Sequence, residues 1–216
     1  MSTDVFKEMS ELIEKGTRGA IATVVSRKGS APMSGDAKML IREDGSTMGT
    51  VGGGCLEAEV WQVAMNIIEE GNSEKVSFNL TAAEAGDSGH ICGGTVEIFI
   101  ESFDAYDSSL LIEIIGVRNR GQSAVLATVV QEGNRKEPSH DQKKMLVKRN
   151  GTTIGEIPNY SAEIWRESGQ IIRQGQPSLM QFWDDRERPR VNRSRSGEAT
   201  EIFVEQITAQ PLVYLF

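Results

Sequence analysis

The sequence predicts a mixed α/β (α+β) fold made of two degenerate copies of one helix–strand–hairpin–helix–strand unit, joined in a single pseudo-duplicated region. The first observation behind this is an internal repeat. Ala22-Thr23-Val24-Val25 recurs unchanged as Ala127-Thr128-Val129-Val130, 105 residues later. Met39-Leu40-Ile41 then answers to Met145-Leu146-Val147, Asp44-Gly45 to Asn150-Gly151, Gly49 to Gly155, and Glu57 to Glu163. Glu97-Ile98-Phe99-Ile100-Glu101 answers to Glu201-Ile202-Phe203-Val204-Glu205. Blocks in one order at a near-constant offset, with a period too long for a solenoid unit, describe a duplicated subdomain. The second observation is that short β-branched runs alternate with helically spaced apolar residues in both copies. The third is size. A chain of 216 residues can bury a real core, whereas one copy alone is small for that. The copies are therefore expected either to join one continuous sheet or to pack as a pseudo-twofold pair. The expected boundaries are 1–107 for the copy with the glycine–cysteine motifs, 108–207 for the second copy, and 208–216 for a further segment.

Each element has its local reason. Val5, Met9, Leu12 and Ile13 fall at helical spacing, with Gly16 as a stop. Ala20 to Ser26 reads as a strand that Lys28-Gly29-Ser30-Ala31-Pro32 breaks, and Lys38 to Arg42 reads as the next. Glu43-Asp44-Gly45-Ser46 is a turn that makes a hairpin with Thr47 to Val51. A glycine string then opens a helix from about Leu56 to Glu70, closed by Gly71-Asn72. A strand over 75–80, a loop to Gly89 and a strand over 95–101 complete the copy. The second copy predicts a helix near 108–118, strands near 123–131 and 143–149, a helix near 161–174 and a last strand near 199–205.

The chemistry points to two glycine-flanked cysteines, Gly52-Gly53-Gly54-Cys55-Leu56-Glu57 and His90-Ile91-Cys92-Gly93-Gly94, the only cysteines in the chain. Glycine strings serve where the backbone needs positive φ or where a ligand approaches the main chain closely. Two thiols in bare turns suit a soft ligand, a metal or sulfur chemistry; the plainer alternative is two small buried residues in tight turns. Cys55 falls at a strand-to-helix junction, where open N–H groups and the helix dipole stabilise a thiolate and attract anions. Glu57, in the first turn, reads as a dipole partner before a catalytic base, because Glu163 persists in the copy without cysteine. That copy has Pro158-Asn159-Tyr160-Ser161 in place of Gly52-Gly53-Gly54-Cys55 and no counterpart of Cys92-Gly93-Gly94. The cysteine turns are thus dispensable for folding a copy, unless the second copy makes the same turns by other means. His90 reads as a solvated loop residue before a proton donor or ligand. Ser30 and Lys38 form a weak phosphate-binding candidate without Walker spacing. The five arginines between Arg186 and Arg195 read as a solvated loop before a site for an acidic partner.

Composition narrows the classes. A net charge of −8 and a pI near 5.0 argue against nucleic acid as a main partner. No apolar run reaches the roughly 18–20 residues that span a bilayer, and Met1 to Glu8 lacks the pattern of a signal peptide. Two cysteines in open turns suit a reducing cytoplasm better than a disulfide framework. No Cys-x-x-Cys occurs, and His90 and His140 offer no zinc spacing.

Lys28-Gly29-Ser30-Ala31-Pro32, Met39-Leu40-Ile41, Asp44-Gly45, Gly49-Thr50-Val51-Gly52-Gly53-Gly54-Cys55-Leu56-Glu57 and Cys92-Gly93-Gly94 together closely resemble the XdhC/CoxI family. Its members are accessory proteins for xanthine dehydrogenase and related molybdenum hydroxylases, including aerobic carbon monoxide dehydrogenase. The resemblance covers essentially the whole chain, with the specific motifs confined to about residues 19–101. It implies an accessory protein, a cofactor chaperone before a turnover enzyme, that binds molybdenum cofactor, assists its sulfuration and inserts it into a hydroxylase apoenzyme. Carried onto this chain, the cofactor-binding residues would be Ser30, Gly52, Gly53, Gly54, Cys55, Cys92, Gly93 and Gly94, with Cys55 and Cys92 reaching molybdenum through the cofactor. A molybdenum hydroxylase apoenzyme and a cysteine desulfurase are the expected partners, alongside a homodimer. The competing readings are a thiol oxidoreductase or sulfurtransferase using Cys55 and Cys92, and a docking module with inert cysteines. Full-length relatives usually continue into a Rossmann domain, and Pro211-Leu212-Val213-Tyr214-Leu215-Phe216 resembles its first strand, so 208–216 is expected to begin a truncated one.

Overall fold

Strand β1 (Gly19–Gly29) is buried on both faces: Ala20, Ala22 and Val24 on one, Ile21 and Thr23 on the other. Such a strand must lie between two packed layers. The computed structural model describes residues 4–29, 34–80, 94–133, 143–183 and 199–209, and it supplies those layers twice. In the first sheet β1 is flanked on one side by β2 (Lys38–Arg42) and β3 (Thr47–Gly49). On the other lie β5 (Gly94–Ser102) and then β4 (Ser73–Leu80). The second sheet repeats that order with β8 (Thr153–Gly155), β7 (Lys144–Lys148), β6 (Ala124–Gln131), β10 (Thr200–Ile207) and β9 (Ser178–Phe182). All pairings are antiparallel.

Helix α2 (Gly54–Glu70) lays Leu56, Val60, Ala64, Ile67 and Ile68 against the outer face of the first sheet, over Ala22, Met39, Ile98 and Ile100. Helix α4 (Ser161–Gln174) covers the second sheet with Ile164 and Ile171. Between the sheets, α1 (Val5–Glu14) and α3 (Ser108–Asn119) bring Phe6, Met9, Leu111 and Ile114 onto Ile21, Leu40, Leu126 and Leu146. Beside them the sheets meet directly through Val25, Phe99, Val130 and Phe203. The copies therefore form two separate sheets around a shared core. Of the two arrangements left open by the sequence, the continuous sheet is not the one adopted.

Local devices repeat as well. Asp4 and Asp107 cap α1 and α3 by accepting first-turn N–H groups. Asp44 accepts from the Ser46 N–H, and Asn150 from the Thr152 N–H, in the β2–β3 and β7–β8 turns. Trp61 and Trp165 each donate an indole N–H to the glycine carbonyl of the adjacent turn, Gly45 and Gly151. Gly49 and Gly155 are required sterically, since a Cβ there would sit 2.4 Å from the Lys38 and Lys144 carbonyl oxygens.

Several boundaries differ from expectation. β1 runs on through Lys28 and Gly29, which pair with Thr95 and Gly94 instead of breaking the strand. The hairpin strand ends at Gly49, before Val51, and α2 starts at Gly54, because the glycines between them leave the extended conformation. β8 and β9 are absent from the sequence reading. β8 has three residues, too few for a periodic signal, and β9 is an edge strand paired, among the described residues, only with β10.

Candidate functional site

The loop from β3 into α2 is built around one carboxylate. Glu57 turns back from the first turn of the helix, and its Oε1 accepts from Thr50 Oγ1 at 2.5 Å, Gly53 N at 3.0 Å and Val51 N at 3.2 Å. Gly52 N in turn donates to Thr50 Oγ1 at 3.2 Å. The loop is tied from inside by groups the chain already carries, as in a capping box with its acceptor displaced along the helix. Glu57 is thus engaged with the loop backbone, in line with its structural reading, though as a direct acceptor and not only as a dipole partner. Thr50 escaped sequence reasoning, since only the fold brings it back onto a residue seven positions away.

The three glycines have φ of 138°, 78° and 64°, and Gly53, with ψ 176°, lies in a region essentially restricted to glycine. Crowding is not the reason: among the described residues a Cβ at Gly53 or Gly54 would meet nothing within 4 Å. The run is needed for its backbone path, and among the described residues nothing fills the space beside it. The helix N-cap, Gly53, supplies no side chain to receive the first-turn N–H groups, and those groups have no acceptor within the helix. Cys55 follows directly, exposed and with a free thiol. An open glycine backbone, a helix amino terminus and an accessible soft donor thus lie within four residues.

In the second copy Asn159 keeps the positive φ, at 71°, while Tyr160 at −123° does not. Ser161, in the place of Cys55, accepts from Ile157 N at 3.2 Å and donates to Ile157 O at 2.8 Å. Glu163 has lost the clamp: its Oε2 is buried with no hydrogen-bond partner among the described residues. The second copy does, then, close its turn by other means, and in doing so it spends on itself the side chain that the first copy leaves exposed.

Of the other predicted site residues, Ser30, His90, Cys92 and Gly93 lie outside the described residues, as do His140, the arginines of 186–195 and the segment 210–216. Gly94 opens β5 and pairs with Gly29 and Leu80, so its backbone belongs to the sheet. Lys38 is a correction. Its Nζ lies 2.7 Å from Glu205 Oε2, with both side chains 8% exposed, so it is committed to an ion pair and not free for phosphate. Among the described residues no cluster of three or more His, Cys, Asp or Glu could hold a metal ion, and no helix is long and apolar enough to cross a membrane.

The glycine loop and Cys55 fall inside a stretch, residues 12–79, that matches the XdhC and CoxI family. A second likeness is to the uncharacterized protein YqeB of Escherichia coli K12, 33% identical over 97 residues, which are 45% of this chain and 18% of YqeB. A third is to a crystal structure described as a xanthine dehydrogenase from Bacillus halodurans, with TM-score 0.61 at 18% identity. That match covers 96% of this chain and 54% of the other, and it shows a common fold reaching across both copies. The chain thus spans about half of that structure and less than a fifth of YqeB. The XdhC and CoxI match itself lies in the first copy, where the triple glycine and Cys55 stand.

Proposed function

We propose that the protein is an accessory factor for a xanthine dehydrogenase-like molybdenum hydroxylase, binding molybdenum cofactor and assisting its sulfuration and insertion. The observation that carries this reading is the exposed Cys55 at the head of α2, beside a glycine run next to which no other described residue lies within 4 Å of an added Cβ at Gly53 or Gly54. The residues fit the group chemically. Open N–H groups at a helix amino terminus favour an anion such as the phosphate of a pterin cofactor, a bare backbone allows close approach, and a thiol is a soft donor suited to molybdenum or its sulfur ligands. When bound, the cofactor would supply a molybdenum–dithiolene centre. The chain's part is to hold its anionic end at Gly54 and Cys55, present the thiol, and keep the loop in shape through Glu57 and Thr50. Cys92 and Gly93 are proposed as further cofactor-binding residues, and a cysteine desulfurase as the sulfur source. The match of residues 12–79 to the XdhC and CoxI family and the fold shared with the Bacillus halodurans structure support this role.

The accessible thiol also favours a second reading, a thiol oxidoreductase or sulfurtransferase. One experiment separates the two. The protein and its Cys55→Ser variant are purified from cells that make molybdenum cofactor, analysed for molybdenum and pterin, and assayed for turnover with a persulfide donor. Stoichiometric cofactor in the wild type, lost in the variant with melting unchanged, supports the accessory role. Turnover with the sulfur donor and no bound pterin supports the second reading. Equal cofactor retention by the variant would make Cys55 a bystander.

A further inference from the structure

The inner face of each sheet carries the same residues at repeat-equivalent places: Lys38 and Lys144, Leu40 and Leu146, Phe99 and Phe203, Glu101 and Glu205. Within one half, Lys38 and Glu101 are kept apart by β1, because Lys38 pairs across to Thr23 while Glu101 pairs to Ile21. Each finds its partner in the other half. Lys38 Nζ lies 2.7 Å from Glu205 Oε2, and Lys144 Nζ lies 2.6 Å from Glu101 Oε2. The first half's lysine thus meets the second half's glutamate, and the second half's lysine meets the first half's glutamate. This is the reciprocal contact pattern of a twofold homodimer interface, here inside one chain.

We propose that the two halves dock as an internal homodimer whose mutual register is set by these two crossed Lys–Glu pairs. The surface is an interaction face, and the partner it fits is a repeat of itself. The apolar contacts between the sheets, Val25 and Phe99 against Val130 and Phe203, are non-directional and would tolerate sliding. The charges do not, because a slide strands a buried ion, a far larger penalty than any the intact pair offsets. Burial pushes Lys144 below its ordinary value and Glu205 above its own, so an unmet charge at either place is costly. Tyr106 adds direction by donating to Glu101 at 2.9 Å. A third bridge, Lys75 to Glu201, is one-sided, because Leu179 stands opposite Phe203 where Lys75 stands opposite Phe99. It makes the halves distinguishable. With this face consumed within the chain, a homodimer of the whole protein needs another surface. None of this depends on the cofactor reading.

Charge reversal in the full chain tests it. Lys38→Glu or Glu205→Lys alone should raise the unfolding equilibrium constant on the order of 100-fold or more. The cross-half double variant, Lys38→Glu with Glu205→Lys, should return to within about tenfold of wild type. The same-half double, Lys38→Glu with Glu101→Lys, should show no recovery, since it sets like charges against each other at both crossings. Recovery in the same-half double, or none in the cross-half double, overturns the proposal. If the reversed single variants do not fold, Lys38→Met, Glu205→Gln and their double take their place. A double variant milder than the product of the singles by about fivefold supports the crossed pairing, and simple additivity overturns it.

Discussion

Truncating the same residue in both copies should give unequal results. Glu57→Ala removes the acceptor of three hydrogen bonds, two from backbone N–H groups and one from the Thr50 hydroxyl. A hydrogen bond to a charged group contributes about 1.5–3 kcal/mol net. The loop is half-open to solvent, so water replaces part of each bond, and the three together should be worth about 2 kcal/mol. Glu163→Ala removes a carboxylate whose Oε2 is buried without a partner among the described residues, and a group in that position contributes nothing or destabilises. Its cost should stay within about 0.5 kcal/mol. For a chain of this size 1 kcal/mol moves Tm by about 2–4 °C, so Glu57→Ala should lower the melting temperature by about 4–8 °C and Glu163→Ala hardly at all. Urea unfolding of the full chain followed by circular dichroism gives both numbers. Limited proteolysis should find a new cut between Val51 and Cys55 in Glu57→Ala alone. Equal losses at the two positions, or a loss at Glu57 below about 0.5 kcal/mol, would refute the clamp.

Three further expectations concern the loop, a cap and the thiol. Gly49→Ala and Gly155→Ala, at φ of 86° and 70° with the new Cβ 2.4 Å from a carbonyl oxygen, should each cost more than about 2 kcal/mol in denaturation. Gly53→Ala meets no atom of the described residues within 4 Å and should cost only backbone strain, about 1–3 kcal/mol. Asp107 is held below its ordinary value near 3.8 by the Ser109 hydroxyl and the Leu110 N–H. Because the folded state lowers this pKa, its contribution is complete above the unfolded value and is lost as pH falls through the folded one. Asp107→Ala should therefore cost about 1 kcal/mol at neutral pH, and the gap to wild type should close in acid below about 3.8. Cys55 should react fully with iodoacetamide in the folded protein, which peptide mass mapping would show; protection under native conditions would contradict its exposure.

Much of the architecture was legible from local pattern. The order of helices and strands follows from apolar periodicity, and the duplication from blocks such as Ala22-Thr23-Val24-Val25 that recur whole. The peculiarity of the glycine run was equally plain, because three successive glycines before a helix signal a backbone path closed to other residues. Glu57 could be taken as structural because its counterpart outlived the cysteine. What sequence could not decide was which copy's residue meets which. Lys38 sees near-identical glutamate-bearing motifs in both halves, one 63 and one 167 positions away, and separation along the chain says nothing about which will face it. Only the packing of two sheets, with β1 standing between Lys38 and Glu101, sends it to Glu205 and takes it away from any phosphate. The same holds for Ser161, whose hydroxyl ties back the Ile157 backbone once α4 is docked. Local propensity writes the elements, but pairing between two near-identical faces is settled by burial, where an unmatched charge cannot be left.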